Sequence, residues 1–246
     1  MSKFKISFMI ITFFAILGIA SSFAEEPTFN RYKPGEMPKE HFKSPKEKVL
    51  FIVDFSNSMN ESIGSQRKID IALDTMYDIL PQLNKDTWVG LRVYGHKNGF
   101  TPMQSCTASE LISPVAQNNA GDIMNKLARV NATGWTPITY SLKQAVNVDF
   151  AGINGTKRII LLSDGGENCD ESPCDYAIQL MQYRDDIKID VIAFSISDND
   201  ANDQLKCAAL MTSGRFYTAN TAAQLANSLL DSLNMEKDVQ GVIIKK

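Results

Sequence analysis

The chain has 246 residues and carries 28 acidic against 25 basic side chains, a formal charge of −3. That balance excludes a nucleic-acid binder built on a concentrated basic patch. Only two histidines occur, His41 and His96, so imidazole-based catalysis or a histidine zinc site has little to draw on.

Residues 1–24 read as a signal peptide. Lys3 and Lys5 precede an apolar stretch from Ile6 to Ala20, and Ser22-Phe23-Ala24 places small residues where a signal peptidase reads, so cleavage is expected after Ala24. An uncleaved anchor is the alternative, because no charge occurs from Ile6 to Ala24 and a membrane-spanning helix needs roughly 20 residues. The small residues and Gly18 favour cleavage, and no second hydrophobic segment follows, so no membrane span is expected in the mature chain. The exported product is expected in the periplasm or secreted. Residues 25–47, with Pro27, Pro34, Pro38 and Pro45, read as an extended linker, residues 48–235 as one folded domain, and residues 236–246 as a C-terminal tail. One α/β domain of that length is ordinary.

Within the domain, apolar runs of strand length alternate with segments of helical period. The strand candidates are Val49 to Val53, Trp88 to Tyr94, Leu111 to Val115, Arg158 to Ser163, Ile187 to Ile196 and Arg215 to Thr218. Between the first two, Ile69, Ala72, Leu73, Met76, Leu80 and Leu83 recur at helical spacing, with Lys68, Asp70, Asp74 and Asp78 off that face. Thr136-Pro137 and Ser172-Pro173 each put a capping hydroxyl before a proline, and Thr221 with Gln224 forms a capping box, so helices are expected to begin near Pro137, Pro173 and Ala222. The gap between Tyr94 and Leu111 is too short for a crossover helix, so the second and third strands are expected to pair antiparallel. The predicted fold is α/β: a doubly wound, Rossmann-like, mainly parallel six-stranded sheet with one antiparallel edge strand and helices on both faces.

All four cysteines, Cys106, Cys169, Cys174 and Cys207, follow the signal segment, and an even count in an exported chain reads as disulfides with three possible connectivities. Cys169 and Cys174 are near enough for a local bridge, valued at roughly 2 kcal/mol by loop entropy. The other pairings reach to the distant thiols. Zinc is disfavoured, since no CxxC knuckle is present.

The chemistry gathers at strand ends. Asp54-Phe55-Ser56-Asn57-Ser58 follows the first apolar run, which puts a carboxylate and two hydroxyls on alternate residues where a buried strand surfaces. Hard cations such as Mg2+ prefer such oxygen ligands and keep several waters, so a few protein oxygens suffice. The fourth run ends in Asp164-Gly165-Gly166, a second carboxylate beside glycines. Thr136, in the loop Thr133-Gly134-Trp135-Thr136-Pro137, adds a third hydroxyl. In doubly wound sheets ligands bind beyond the carboxyl ends of strands where strand order reverses, so these elements can converge. Without that convergence, Asp54, Ser56 and Ser58 would merely cap a turn. Glu167 reads as a solvated loop acid, His96 as a loop residue supporting the rim, and Trp135 as either an aromatic anchor for a partner or a side chain packed on its own loop.

These three elements, in this order, resemble the von Willebrand factor type A (VWA) domain and its metal-ion-dependent adhesion site (MIDAS). The family pattern D-x-S-x-S, a distant threonine and [ST]-D-G is met by Asp54, Ser56 and Ser58, by Thr136 and by Asp164. Val89 to His96, Thr136-Pro137-Ile138, Ser163 to Cys169 and Thr212 to Tyr217 look like exported bacterial members related to calcium-activated chloride channel regulators, and the four cysteines fall where similar sequences carry them. Asn57 replaces the glycine usual between the serines, a substitution asparagine tolerates through the left-handed conformation, and Ser109 stands where aspartate is common. The resemblance implies a non-catalytic module whose Mg2+ (or Mn2+ or Ca2+) is held by Asp54, Ser56, Ser58, Thr136 and Asp164 and takes a carboxylate from a protein partner. The rival reading is a Mg2+-dependent phosphatase or hydrolase using Asp54 and Asp164. Ser56 stands where haloacid-dehalogenase-like enzymes carry a second acid, and no general base is evident. A structural envelope component with a vestigial site is the third reading.

Overall fold

Each of the six apolar runs becomes a strand of one sheet in the computed structural model, which describes residues 47–233. The expected signal peptide, the linker up to residue 46 and the C-terminal tail lie outside the described residues. In chain order the strands are β1 (Lys48–Asp54), β2 (Ser62–Ile63), β3 (Gln66–Arg67), β4 (Val89–Tyr94), β5 (Ser109–Ala116), β6 (Lys157–Ser163), β7 (Ile187–Phe194) and β8 (Phe216–Ala219). The helices are α1 (Lys68–Ile79), α2 (Pro102–Ser105), α3 (Ala120–Leu127), α4 (Ile138–Gln144), α5 (Pro173–Leu180), α6 (Asn199–Met211) and α7 (Ala222–Ser232). β2 and β3 form a separate small hairpin, and the main sheet runs β5-β4-β1-β6-β7-β8. Only the β4–β5 pairing in that sheet is antiparallel, as the short connection requires.

Alternation along β1 explains why its apolar run is unbroken. Val49, Phe51 and Val53 pack with Met76 of α1, Ile123 of α3 and Leu229 of α7, whereas Leu50 and Ile52 pack with Leu142 of α4, Leu180 of α5 and Leu205 of α6. A central parallel strand is covered on both faces, so it needs apolar residues at every position. Each such side chain contributes about 1.5–3 kcal/mol of burial.

Helix starts follow the sequence with one exception. Ser172 Oγ accepts from Asp175 N (3.1 Å) and Thr221 Oγ1 from Gln224 N (3.2 Å), although the Gln224 side chain accepts from Asn220 N (2.7 Å) rather than closing the box on Thr221. Thr136 does not cap α4. That helix starts at Ile138 after an uncapped Pro137, and Glu167 Oε2 instead accepts from Thr139 N (2.7 Å). The cysteines pair Cys106–Cys169 and Cys174–Cys207, with Cα separations of 5.5 and 5.2 Å. The local Cys169–Cys174 bridge does not form, because Cys174 lies in α5 and is joined to Cys207 of α6 while Cys169 is joined to the segment after α2.

From β1 the chain builds outward through β4 to β5, then crosses β1 to add β6, β7 and β8 on the other side. The carboxyl ends of the adjacent parallel strands β1 and β6 therefore meet at the reversal of strand order.

Candidate metal centre

Asp54 is the last residue of β1 and Asp164 follows the last residue of β6, so the pairing of these strands sets the two carboxylates side by side. Asp54 Oδ1 accepts from Ser56 N (2.7 Å), which folds the turn back over the strand end. Asp54 Oδ2 accepts from Tyr94 Oη (2.9 Å) and Ser163 Oγ (2.7 Å). Ser58 Oγ donates to Asp164 Oδ1 (2.7 Å) and lies 3.0 Å from Ser56 Oγ. Four of the five predicted residues thus form one continuous cluster.

Thr136 reaches the same rim through backbone contacts. Ser56 and Gly134 form a parallel bridge, Asn57 N donates to Gly134 O (2.9 Å), and Gly95 O accepts from Thr133 N (3.2 Å) and Gly134 N (2.6 Å). Thr136 N donates to Asn168 Oδ1 (2.8 Å), which ties this loop to the one carrying Asp164. Thr136 itself is buried, and among the described residues its hydroxyl makes no hydrogen bond to the other four. Gly95 is required where the loops cross: its φ is +70°, and a Cβ there would stand 2.6 Å from Ser56 N and 2.7 Å from Trp135 O.

Asn57 needs no special backbone. It opens a 3-10 turn, Asn57–Asn60, and is not among the residues with positive φ, so the left-handed conformation expected of it is not used. Trp135 is 38% exposed, so part of its ring faces solvent. His96 sits beside the rim with its side chain largely buried and Nε2 3.2 Å from Glu110 Oε2; burial pulls its pKa down, against the pull of Glu110.

Burial first, and the neighbouring Asp164 carboxylate second, push Asp54 up to about 6, against the lowering effect of its hydrogen bonds. The pair therefore carries more negative charge than its surroundings offset. A divalent cation among two carboxylates and three hydroxyls would relieve that imbalance, so the donor set fits a hard, oxygen-seeking ion. Among the described residues no three His, Cys, Asp or Glu side chains gather for a metal, which leaves the hydroxyls essential to any such site.

Three neighbours escaped the sequence reading. Lys68, placed off the apolar face of its helix, is buried and donates to Asp164 Oδ2 (2.9 Å) and Glu61 Oε2 (2.8 Å). Tyr94 stands in register with Asp54 across β1 and β4, the only hint of its role being its place at the end of an apolar run. Glu167 is not a solvated acid: it accepts from Thr139 N and from Cys169 N (2.9 Å), and burial raises its pKa.

The family model for the von Willebrand factor type A domain matches residues 48–231. The uncharacterised protein YwmD of Bacillus subtilis (strain 168) is 30% identical over 178 residues, covering 71% of this chain and 79% of that protein. Among solved structures, mussel byssus proximal thread matrix protein 1 with a zinc-occupied MIDAS motif aligns at TM-score 0.60 and 19% identity, over 78% of this chain and 46% of that one. A von Willebrand factor type A protein from Catenulispora acidiphila aligns at TM-score 0.60 and 18% identity, over 76% and 42%. The chain spans less than half the length of those two structures, and at such identities they establish the fold alone. No helix among the described residues is long and apolar enough to cross a membrane. By its family match, its strand order and its relatives, this chain belongs to the von Willebrand factor type A domain family.

Proposed function

We propose that this chain is a non-catalytic, cation-dependent protein-binding module that works outside the cytoplasm after cleavage of residues 1–24. Asp54, Ser56, Ser58, Thr136 and Asp164 hold Mg2+, which leaves a coordination position for a carboxylate of a partner protein. The observation that carries this reading is the unbroken chain of contacts from Ser56 through Ser58 to Asp164, beside an Asp54 raised to about 6 by burial and by Asp164. The zinc in the MIDAS of the mussel protein is consistent with a divalent ion at the corresponding place. Two disulfides fit an exported chain.

The phosphatase reading loses ground on geometry. Asp54 is fully buried, and both its oxygens already accept hydrogen bonds, from Ser56 on one side and from Tyr94 and Ser163 on the other. A nucleophilic carboxylate needs an open face toward phosphorus.

The test is capture of proteins from envelope or culture-medium extract in Mg2+, with wild type against Asp54→Ala. Proteins retained by wild type and lost with Asp54→Ala or EDTA are expected. Recovery of the same proteins by both variants would overturn the metal-bridged model.

A further inference from the structure

Two buried carboxylates, Asp54 and Asp164, lie at the ends of neighbouring strands, and among the described residues one cation, Lys68, reaches Asp164. Lys68 is the first residue of α1; its backbone N donates to Glu61 O (2.8 Å), which closes the chain around the β2–β3 hairpin and aims the side chain inward. Its side chain is 8% exposed, and its Nζ lies 2.9 Å from Asp164 Oδ2. Asp164 Oδ1 is turned the other way, toward Ser58 and through it Ser56. The ammonium therefore sits on the Asp164 oxygen that is not the one held by Ser58. Among the described residues no other ion pair reaches Asp54 or Asp164.

We infer that Lys68 is the built-in counter-ion of this site: it keeps the metal-free chain assembled, weakens cation binding, and makes the cation-loaded site positive so that it demands an anionic ligand. The inference rests on the metal reading above. Charge counting carries it. Two carboxylates and one ammonium leave a single negative charge; a divalent cation turns this into a single positive charge, which one carboxylate from a partner neutralises. Without Lys68 the loaded site would be neutral and would attract an acidic ligand far less. Glu61, the other partner of Lys68, has a side chain 67% exposed, so water screens its charge from the buried pair. Lys68 thus trades cation affinity for carboxylate selectivity, and specificity for an acidic partner is built in beneath the site as well as at its open face.

The test compares the full chain as wild type, Lys68→Met and Lys68→Arg after EDTA treatment. Calorimetric titration with Mn2+ reads cation affinity, broadening of the acetate methyl signal by the Mn2+-loaded protein reads carboxylate binding, and thermal melting reads the metal-free state. Lys68→Met is expected to bind Mn2+ at least about tenfold more tightly, through loss of a nearby like charge. It should also broaden acetate less and melt at a lower temperature without metal, while Lys68→Arg stays close to wild type. Mn2+ binding by Lys68→Met no tighter than wild type, or an unchanged metal-free melting temperature, would overturn the counter-ion role and leave the metal reading standing. If wild type binds no Mn2+, the metal reading fails first, and the counter-ion role is then read from the metal-free melting temperature alone, where an unchanged value in Lys68→Met would overturn it. Should Lys68→Met not fold, adding Asp164→Asn removes the uncompensated charge and is expected to restore folding. A double variant that stays unfolded counts against the inference.

Discussion

Two buried carboxylate centres in this sheet are finished in opposite ways. Asp190 of β7 is enclosed by cations: Arg158 Nη1 lies 2.7 Å from both its oxygens, Arg215 adds its backbone N (2.9 Å), Nε (3.1 Å) and Nη2 (2.9 Å), and Ser232 Oγ donates at 2.7 Å. Among the described residues, Asp54 and Asp164 are met only by hydroxyls, one amide and one lysine. A planar guanidinium satisfies a carboxylate with paired, charge-assisted bonds and leaves no room for a further ion. Hydroxyls support a carboxylate without neutralising it. The first centre is closed and structural, and the second is left with unbalanced negative charge.

The largest effect that sharpens this contrast concerns the covalent brace of the open centre. Cys106–Cys169 joins residues 63 apart and holds the loop that follows Asp164. Replacing both with serine should cost about 4 kcal/mol by loop entropy, read from urea unfolding, and should also weaken Mg2+ binding. The matching change at Cys174 and Cys207 should lower stability alone, because that bridge joins α5 to α6 and does not hold the loop that follows Asp164. Equal loss of Mg2+ affinity in both would blur the distinction between the two regions.

Next, Asp190→Ala should destabilise the chain by about 3 kcal/mol or more, since it strips the buried Arg158 of one partner. That loss should be the same with Mg2+ or EDTA. A metal-dependent loss would break the division between closed and open centres.

At the open centre, Mg2+ at a hundred times its dissociation constant should stabilise the EDTA-treated chain by about 2.7 kcal/mol. Asp54→Asn should abolish that shift while leaving the metal-free melting temperature unchanged or raised, because it removes one of two facing carboxylates. A fall comparable to that of Asp190→Ala would mean that Asp54 is as fully compensated as Asp190. The smallest effect is expected at Asn57: in its 3-10 turn, glycine should destabilise by roughly 0.5–1 kcal/mol and leave the Mg2+ response intact, by the entropy of the freer backbone.

The same division runs through what could be read beforehand. Strand positions were legible to within a residue or two, because Val49 to Val53 of β1, Ile159 to Leu162 of β6 and Val191 to Phe194 of β7 are apolar at consecutive positions and a short run so composed has few alternatives. That Asp54, Ser56, Ser58 and Asp164 come together could be expected because each lies at or beside the end of an element whose type was clear. The cysteine pairing was not legible, since it depends on which way α5 and the loop after α2 face once packed. Nor was Glu167, whose brace on Thr139 exists only when two distant loops are already in place. Lys68 was misplaced for a related reason: helical periodicity ranks residues by polarity, and a buried lysine at the start of a helix looks like a solvated one until its carboxylate partner arrives from ninety-six residues away.

The amino-acid sequence by itself determined the alternation of strands and helices, the antiparallel edge and the residues at the strand ends, because these follow from local periodicity and chain length. Only the tertiary structure decided how charge is balanced among them. Coulombic interactions and desolvation act across space between residues far apart in the chain, so the closed arginine cage around Asp190 and the lysine behind Asp164 became visible only with the sheet assembled.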